Sequence, residues 1–500
     1  MIEDFSNEFT KDDIHVRDHL QFELKSEFFI NPQVKSNIFK QELYLFIPSQ
    51  LQINTQTYTK GNFYLDQTNL IRYKTPRIDL RDLIDPLYKQ SPLYRIQQLI
   101  QTEPTSMEVG SILDELRLFG NMFKTALRER IYQIAHSADH PLQLDIEARP
   151  RALASLCDEI KEVCLHFRLI QNRINHNQLR RHFKYVDEFV SNTLDEYLTI
   201  LLHAILEDKA YSKAIKDQLA HIILHEKNYR QEHHLGPKIA QEKLFSNESI
   251  LHRKGLLNRY VLEALQLRSY RSSFEEQHGN LLGAFAAGIA TFIYTLFFIW
   301  NNSAFVSTSA SFILLAVIIY ALRDIIKEGL RKVFYKKANQ WLQDYSTVIK
   351  SPRGTKIGRL KENFTFIEQA DLPAGFLEIR NYHFNEELQA LQRYESIIQY
   401  KREVELMSHP YEEGRRRELT MVFRLNIKRL IRDASDALHP ALKLDAYTRE
   451  TVAFLLPKVY HLNILIRNTF LNDHNVLTNE IKKYRVVVDK AGIKRVEQIK

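Results

Sequence analysis

LLGAFAAGIATFIYTLFFIW, running from Leu281 to Trp300, is followed after Asn301 and Asn302 by SAFVSTSASFILLAVIIYAL, from Ser303 to Leu322. Neither run contains a charged residue. Each holds about 20 residues, which at roughly 1.5 Å per residue covers about 30 Å, the thickness of a bilayer's hydrocarbon layer. The spacing predicts a two-helix transmembrane hairpin over 281–322. Arg253, Lys254, Arg259, Arg268 and Arg271 precede it, and Arg323, Lys327, Arg331, Lys332, Lys336 and Lys337 follow it. The link between the runs has no Lys or Arg. The positive-inside bias therefore predicts an integral protein of the cytoplasmic (inner) membrane with both termini on the cytoplasmic side.

Small residues recur four apart along the first run, at Gly283/Ala287, Ala284/Gly288 and Ala286/Ala290, and Ser307/Ser311 repeat the spacing in the second. Such positions let helix backbones approach closely, within the hairpin or between copies. No Asp, Glu, Lys, Arg or His lies inside either run, and ion pathways ordinarily need such groups, so a channel or transporter is disfavoured. The amino-terminal residues Met1 to Phe5 are acidic and have no apolar run behind them. Insertion is expected to depend on the internal segments.

The chain's net charge of +8 is concentrated rather than spread. Residues 323–361 alone carry an excess of +8, equal to that of the whole chain. Basic residues just inside a membrane meet anionic headgroups at about 1 kcal/mol each, so Arg323, Lys327, Arg331, Lys332, Lys336 and Lys337 are the expected headgroup contacts. A nucleic-acid groove would interleave basic and aromatic residues across a soluble domain, and no nucleic-acid partner is expected. Arg415, Arg416 and Arg417, flanked by Glu412, Glu413 and Glu418, read as a solvated turn.

Five regions follow: 1–100, an N-terminal β-strand region; 101–280, a cytoplasmic helical domain; 281–322, the hairpin; 323–361, a juxtamembrane basic helix and loop; and 362–500, a C-terminal β-rich domain. Leu20, Phe22 and Leu24 alternate with polar residues, as do Leu43, Leu45 and Ile47, the period of half-buried strands. From about Ile100 the apolar spacing becomes three and four, with breaks expected at His140-Pro141, Asn175 to Asn177 and Gly236-Pro237. The last helix of this region is expected to run toward the first membrane span. The second span is expected to continue as helix to about Asp344 and break at Ser351 to Gly354. Alternation returns at Ile398, Tyr400, Val404 and Leu406, at Leu419 to Ile427 and at Tyr460 to Ile466. The end reads as a hairpin turning at Asp489 to Gly492, where Gly492 supplies positive φ. The fold class expected is membrane α+β, with a β-sandwich-like domain built from the N- and C-terminal strands.

Chemical motifs are scarce. None of the 14 glycines stands at G-x-G spacing, and the P-loop, nucleophile-elbow, zincin and EF-hand patterns are missing. Gly354-Thr355-Lys356-Ile357-Gly358 matches no nucleotide motif and is read as a headgroup-contacting loop. Cys157 and Cys164, seven apart on a helix, are too far apart for a disulfide and read as buried, reduced thiols. The helical region is rich in histidine. His221 and His225 share a helix face and Glu226 adjoins them, the best candidate metal set; His136, Asp139, His140 and Glu162/His166 are weaker ones. No cofactor is otherwise implied. The expected function is a non-enzymatic, membrane-anchored scaffold on the cytoplasmic face, with a protein partner or further copies of itself. The alternatives are a metal-dependent enzyme housed at His221, His225 and Glu226, and a sensor of anionic lipid.

Overall fold

A computed structural model describes residues 14–31, 34–101, 105–135, 148–208, 210–236, 244–304, 310–341, 343–352, 354–382, 395–407, 418–444, 449–471 and 476–499. The chain starts with β1 (Ile14–Asp18), β2 (Gln21–Phe29), β3 (Ser36–Pro48), α1 (Lys60–Asp66), β4 (Gln67–Tyr73) and α2 (Pro92–Leu99). Five long helices follow: α3 (Ser106–Ala135), α4 (Arg149–Gln171), α5 (Asn177–Ile205), α6 (Lys213–Glu232) and α7 (Leu244–Leu262). Next come β5 (Arg268–Ser273), α8 (Phe274–Ala304), α9 (Ala310–Trp341), β6 (Tyr345–Lys350), β7 (Lys356–Ile367) and α10 (Phe376–Asn381). The chain closes with β8 (Glu395–Met407), β9 (Glu418–Asn426), β10 (Leu438–Leu444), β11 (Thr451–Pro457), β12 (Tyr460–Leu471), β13 (Leu477–Asp489) and β14 (Gly492–Ile499). These elements form two compact units: a helical one containing residues 71–267 and a sheet one containing 13–70, 268–408 and 422–500.

In the helical unit, α5 shows why the spacing of apolar residues produces a packed helix. Leu179, Phe183, Val186, Val190, Leu194, Leu198, Leu201 and Ile205 recur at three and four and all lie buried. Phe167 of α4 stacks between Phe119 of α3 and Phe183 of α5, with ring centroids 4.4 and 4.5 Å away. Starts are capped locally: the Ser212 side chain accepts from the Ile215 amide at the head of α6, and Ser91 does the same ahead of Pro92. Of the breaks expected from sequence, the one at Asn175 to Asn177 falls between α4 and α5, while His140-Pro141 and Pro237 lie outside the described residues.

The sheet unit is built on an eight-stranded antiparallel sheet of order β14-β13-β12-β3-β8-β7-β6-β5, with a four-stranded sheet of order β1-β2-β9-β4. The N-terminal β3 is a central strand: Leu45 faces Ile464 of β12 on one side and Ile398 of β8 on the other. Alternation then sorts its side chains. Leu43, Leu45 and Ile47 join Phe22 and Leu24 of β2, Phe423 and Leu425 of β9, and Ile464 of β12 in one core between the sheets. Tyr44 and Phe46 point the other way, onto Phe376 of α10. Gly492 has φ 137°, and a Cβ there would stand 2.0 Å from the His19 carbonyl oxygen.

The region between β5 and β6 corrects the sequence reading. Among the described residues only one helix segment is long and apolar enough to cross a bilayer, Gly283–Trp300 in α8, so the two-helix transmembrane hairpin and a two-pass topology do not hold. The reason is an offset between the two apolar runs. Because β5 and β6 pair antiparallel, α8 leaves the sheet beside the point where α9 returns, and Tyr294 meets Tyr320 with ring centroids 6.1 Å apart. Counting back along both helices from that contact brings the charged stretch Arg323 to Lys332 alongside the apolar stretch from Leu281 to Thr291. Side by side, the two helices are both uncharged only from Phe292 and Leu322 outward to Ala304 and Ala310, about 18 Å of helix, well short of the ~30 Å needed to cross. Two boundaries are refined as well, the second by only three residues from the expected end near Asp344. The polar stretch Arg268–Ser273 forms strand β5 between α7 and α8, and α9 ends at Trp341, giving way to β6 ahead of Ser351. The nominal N-terminal strand region also contains the helices α1 and α2.

Candidate functional site

The helix pair exposes an unusual amount of apolar surface. Ala286, Ala290 and Ile319 are buried, whereas Leu281, Phe285, Phe292, Phe297, Ile299 and Trp300 are exposed. Of the Gly283–Trp300 segment only 11% is buried within the protein. A shallow apolar groove of 520 Å³ runs along α8, lined by Leu281, Ala284, Phe285, Gly288, Ile289 and Phe292. The six expected headgroup contacts all belong to α9. Lys327 and Lys332 are exposed. Arg323 is turned onto its neighbours, 3.1 Å from Asp324 and 4.5 Å above the Tyr320 ring. Arg331 lies 3.9 Å from Glu328. The side chains of Lys336 and Lys337 lie outside the described residues. The local field is therefore weaker than a count of Lys and Arg suggests, since two of the cations have an acid one or three residues away.

The foot of the pair is fixed to the sheet by a set of buried polar contacts. Asp344, just before β6, accepts from Lys60 Nζ at 2.5 Å, Tyr64 Oη at 2.8 Å and the Phe364 amide at 2.7 Å. Arg271 of β5 packs its guanidinium 3.8 Å from the Tyr345 ring centre and 4.7 Å from that of Tyr64, and reaches Glu362 at 3.4 Å. Glu362 opens a row of directly facing residues across four strands: Glu362, Arg402, Gln41 and Asn468. Tyr400 Oη donates to Glu362 at 2.6 Å, and Asn69 Nδ2 donates at 2.7 Å. Arg402 Nη1 donates to Asn69 Oδ1 at 2.9 Å, and Gln41 Nε2 to Asn468 Oδ1 at 2.6 Å. Burial draws the Arg402 pKa down, while the neighbouring Tyr400 and Glu362 oppose the shift. A satisfied polar row inside an apolar core fixes strand register, because a slip of one residue would leave each group unpaired.

In the helical unit the metal candidates separate. Glu226 faces inward and is buried, while His221 and His225 on the same helix are exposed. His225 Nδ1 lies 3.8 Å from Glu226 Oε1. The Glu226 carboxylate is held by a fork from Arg168, with Nη1 at 3.0 Å and Nη2 at 2.7 Å, and by Ser191 Oγ at 2.7 Å. Arg168 Nε also donates to Asp187 at 3.1 Å, and Tyr229 Oη donates to the other Asp187 oxygen at 2.7 Å. The guanidinium sits 3.5 Å above the Tyr229 ring. Burial pushes the Glu226 carboxyl up, but Arg168 outweighs it and holds the pKa below the ordinary value. For Asp187 burial wins and the pKa is raised. This cluster ties α4, α5 and α6 together, and its members Arg168, Asp187 and Ser191 are absent from the sequence-based site. The signal that marks them is a polar residue on a buried stripe, as Asp187 and Ser191 are in α5.

Among the described residues no three His, Cys, Asp or Glu side chains converge in a way that could hold a metal. His166 Nδ1 contacts the Glu162 carbonyl at 2.9 Å, while His136, Asp139 and His140 lie outside the described residues. Cys157 and Cys164 are both free and buried, and burial pushes the Cys157 thiol up to about 11, away from the thiolate form that reacts. A cavity of 280 Å³ opens between α3, α5 and α7, bordered by Lys124, Tyr197, Glu196 and Lys254, the last two 3.5 Å apart. No known protein family, curated protein or solved structure matches the chain.

Proposed function

We propose that the chain is a membrane-held interaction protein, attached through the apolar outer part of the α8–α9 pair, with its sheet and helical units on the cytoplasmic face. The observation that carries this reading is the exposure of Gly283–Trp300, a segment of mean hydropathy 1.7 with 11% of it covered by the rest of the protein. Water does not tolerate a continuous apolar surface of that size, whereas lipid does. The uncharged outer part is about 18 Å long, enough to enter one leaflet and too short to cross both. Lys327 and Lys332 then meet anionic headgroups, adding about 1 kcal/mol each. The groove along the inner half of α8, level with the charges of α9, is the surface offered to a protein partner or to another copy of the chain. The reading assigns no reaction.

Flotation of purified full-length protein with phosphatidylcholine vesicles, with and without phosphatidylserine, tests the attachment. The protein is expected to float with both, and more strongly with phosphatidylserine. Phe297→Glu and Ile299→Glu should each weaken binding roughly 100-fold, given about 2.5–3.5 kcal/mol for a charge in hydrocarbon. Wild-type protein that stays folded and at the bottom of the gradient would overturn the proposal.

A further inference from the structure

The sheet unit carries a second apolar projection. Residues Leu438–Leu444 and Thr451–Pro457 form a ribbon, β10 and β11, whose strands pair only with each other among the described residues. Nearly every residue in it is exposed. The register sorts Leu438, Leu442 and Leu455 to one face and Val452, Phe454 and Leu456 to the other, so neither face is polar. A two-stranded ribbon standing alone in water is marginally stable at best. One face carries His439 and Lys443 among its apolar residues, and the other carries Thr451 as its single polar side chain.

Its place in the sheet identifies the cover. Ser273, the last residue of β5, faces Tyr345 at the start of β6. Tyr345 faces Glu362 in the second half of β7, and Ile367 at the end of β7 faces Ile397 near the start of β8. Pro48 at the end of β3 faces Glu395, and Asn463 near the start of β12 faces Phe46. The ribbon re-enters the sheet through β12, at Tyr460. Both apolar projections therefore head toward the same end of the sheet, their roots four strand spacings apart across it, about 20 Å, and eight residues apart along it, because Tyr345 stands level with Asn468.

Resting on the membrane reading above, we infer that the β10–β11 ribbon is a second lipid-contact element, lying in the interfacial layer of the same bilayer that holds α8. Pro440 supports lipid over strand exchange with another chain. Paired with Leu455 in an intact ladder, it turns its nitrogen to the outer edge of β10, where no N–H is available to template an added strand. His439 and Lys443 project from the face that carries Val452, Phe454 and Leu456, where they can reach phosphate groups at interfacial depth.

The test uses the full-length protein carrying Leu442→Cys labelled with an environment-sensitive fluorophore; the native Cys157 and Cys164 are buried and spared. Phosphatidylcholine vesicles containing phosphatidylserine and acyl-chain-brominated lipid are expected to shift the label to the blue and quench it. Leu442→Asp and Phe454→Asp should each weaken vesicle binding about tenfold or more, with the unfolding profile unchanged because the ribbon touches no core. Flotation with an unquenched, unshifted label would overturn the ribbon's role while leaving attachment through α8 intact. Absence of flotation would overturn both. Concentration-dependent self-association without lipid, abolished by Leu442→Asp, would assign the ribbon to a second copy of the chain and overturn the lipid assignment.

Discussion

Replacing Arg168 with Met tests whether the buried cluster of the helical unit acts as an electrostatic unit. The side chains of Glu226 and Asp187 are 4% and 3% exposed, and the substitution removes three charge-assisted hydrogen bonds from them, at 3.0, 2.7 and 3.1 Å. Ser191 and Tyr229 still donate one bond to each acid. The limit on the loss is the free energy of protonating a stranded carboxylate. At pH 7 protonating a carboxylate of ordinary acidity costs roughly 3–4 kcal/mol, in line with the ~3–5 kcal/mol found on breaking buried pairs. Because the chain has two units, one unfolding curve is not a two-state measurement. Hydrogen exchange of amides in α4, α5 and α6 reports the helical unit alone, and their opening free energy should fall by about 3 kcal/mol. The loss should shrink as pH falls: a stranded carboxylate has a folded pKa above its unfolded one, so the folded variant binds more protons and recovers stability in acid. A loss under about 1 kcal/mol, independent of pH, would refute the idea that Arg168 neutralises these two acids.

Two further outcomes concern the sheet unit. Burial pushes the Glu23 carboxyl up, but hydrogen bonds from His15 and Arg424 bring it down to about 2 from 4.5. Since that folded pKa lies below the unfolded one, its stabilisation is complete above about pH 4.5 and is lost as pH falls toward 2; Glu23→Gln should flatten this part of the unit's thermal stability profile. Gly492→Ala would place a methyl group 2.0 Å from the His19 carbonyl oxygen at φ 137°. It should cost roughly 2 kcal/mol or more, read as lost amide protection in β13 and β14; protection equal to wild type would show that the turn can re-form without glycine's conformational freedom.

Local patterns were legible in the sequence to the extent that local physics decides them. The alternation at Leu43, Leu45 and Ile47 marks β3 because one side of that strand meets the core between the sheets. Asp489 to Gly492 marks a turn because the backbone there needs glycine. By contrast, β5 reads RSYRSS and carries no apolar alternation, since it is an edge strand with little to bury. The double crossing failed for a related reason: run length is a property of one helix, whereas the offset that sets Arg323 to Lys332 beside α8 belongs to the pair. Spacing put His221, His225 and Glu226 together on α6, yet which of them faces inward is decided by Arg168, from another helix.

The central position of β3 also sets an order of events during synthesis. Leu45 is made early, but its partner Ile464 lies more than four hundred residues downstream, about 20–80 s of translation at 5–20 residues per second. The long helices of 106–262 can pack before then through nearer contacts, and the apolar flank of α8 is also made well before β12. The newborn chain therefore exposes this apolar segment while the sheet that will carry it is still open; under the proposed attachment, docking at a bilayer can begin before the sheet has closed.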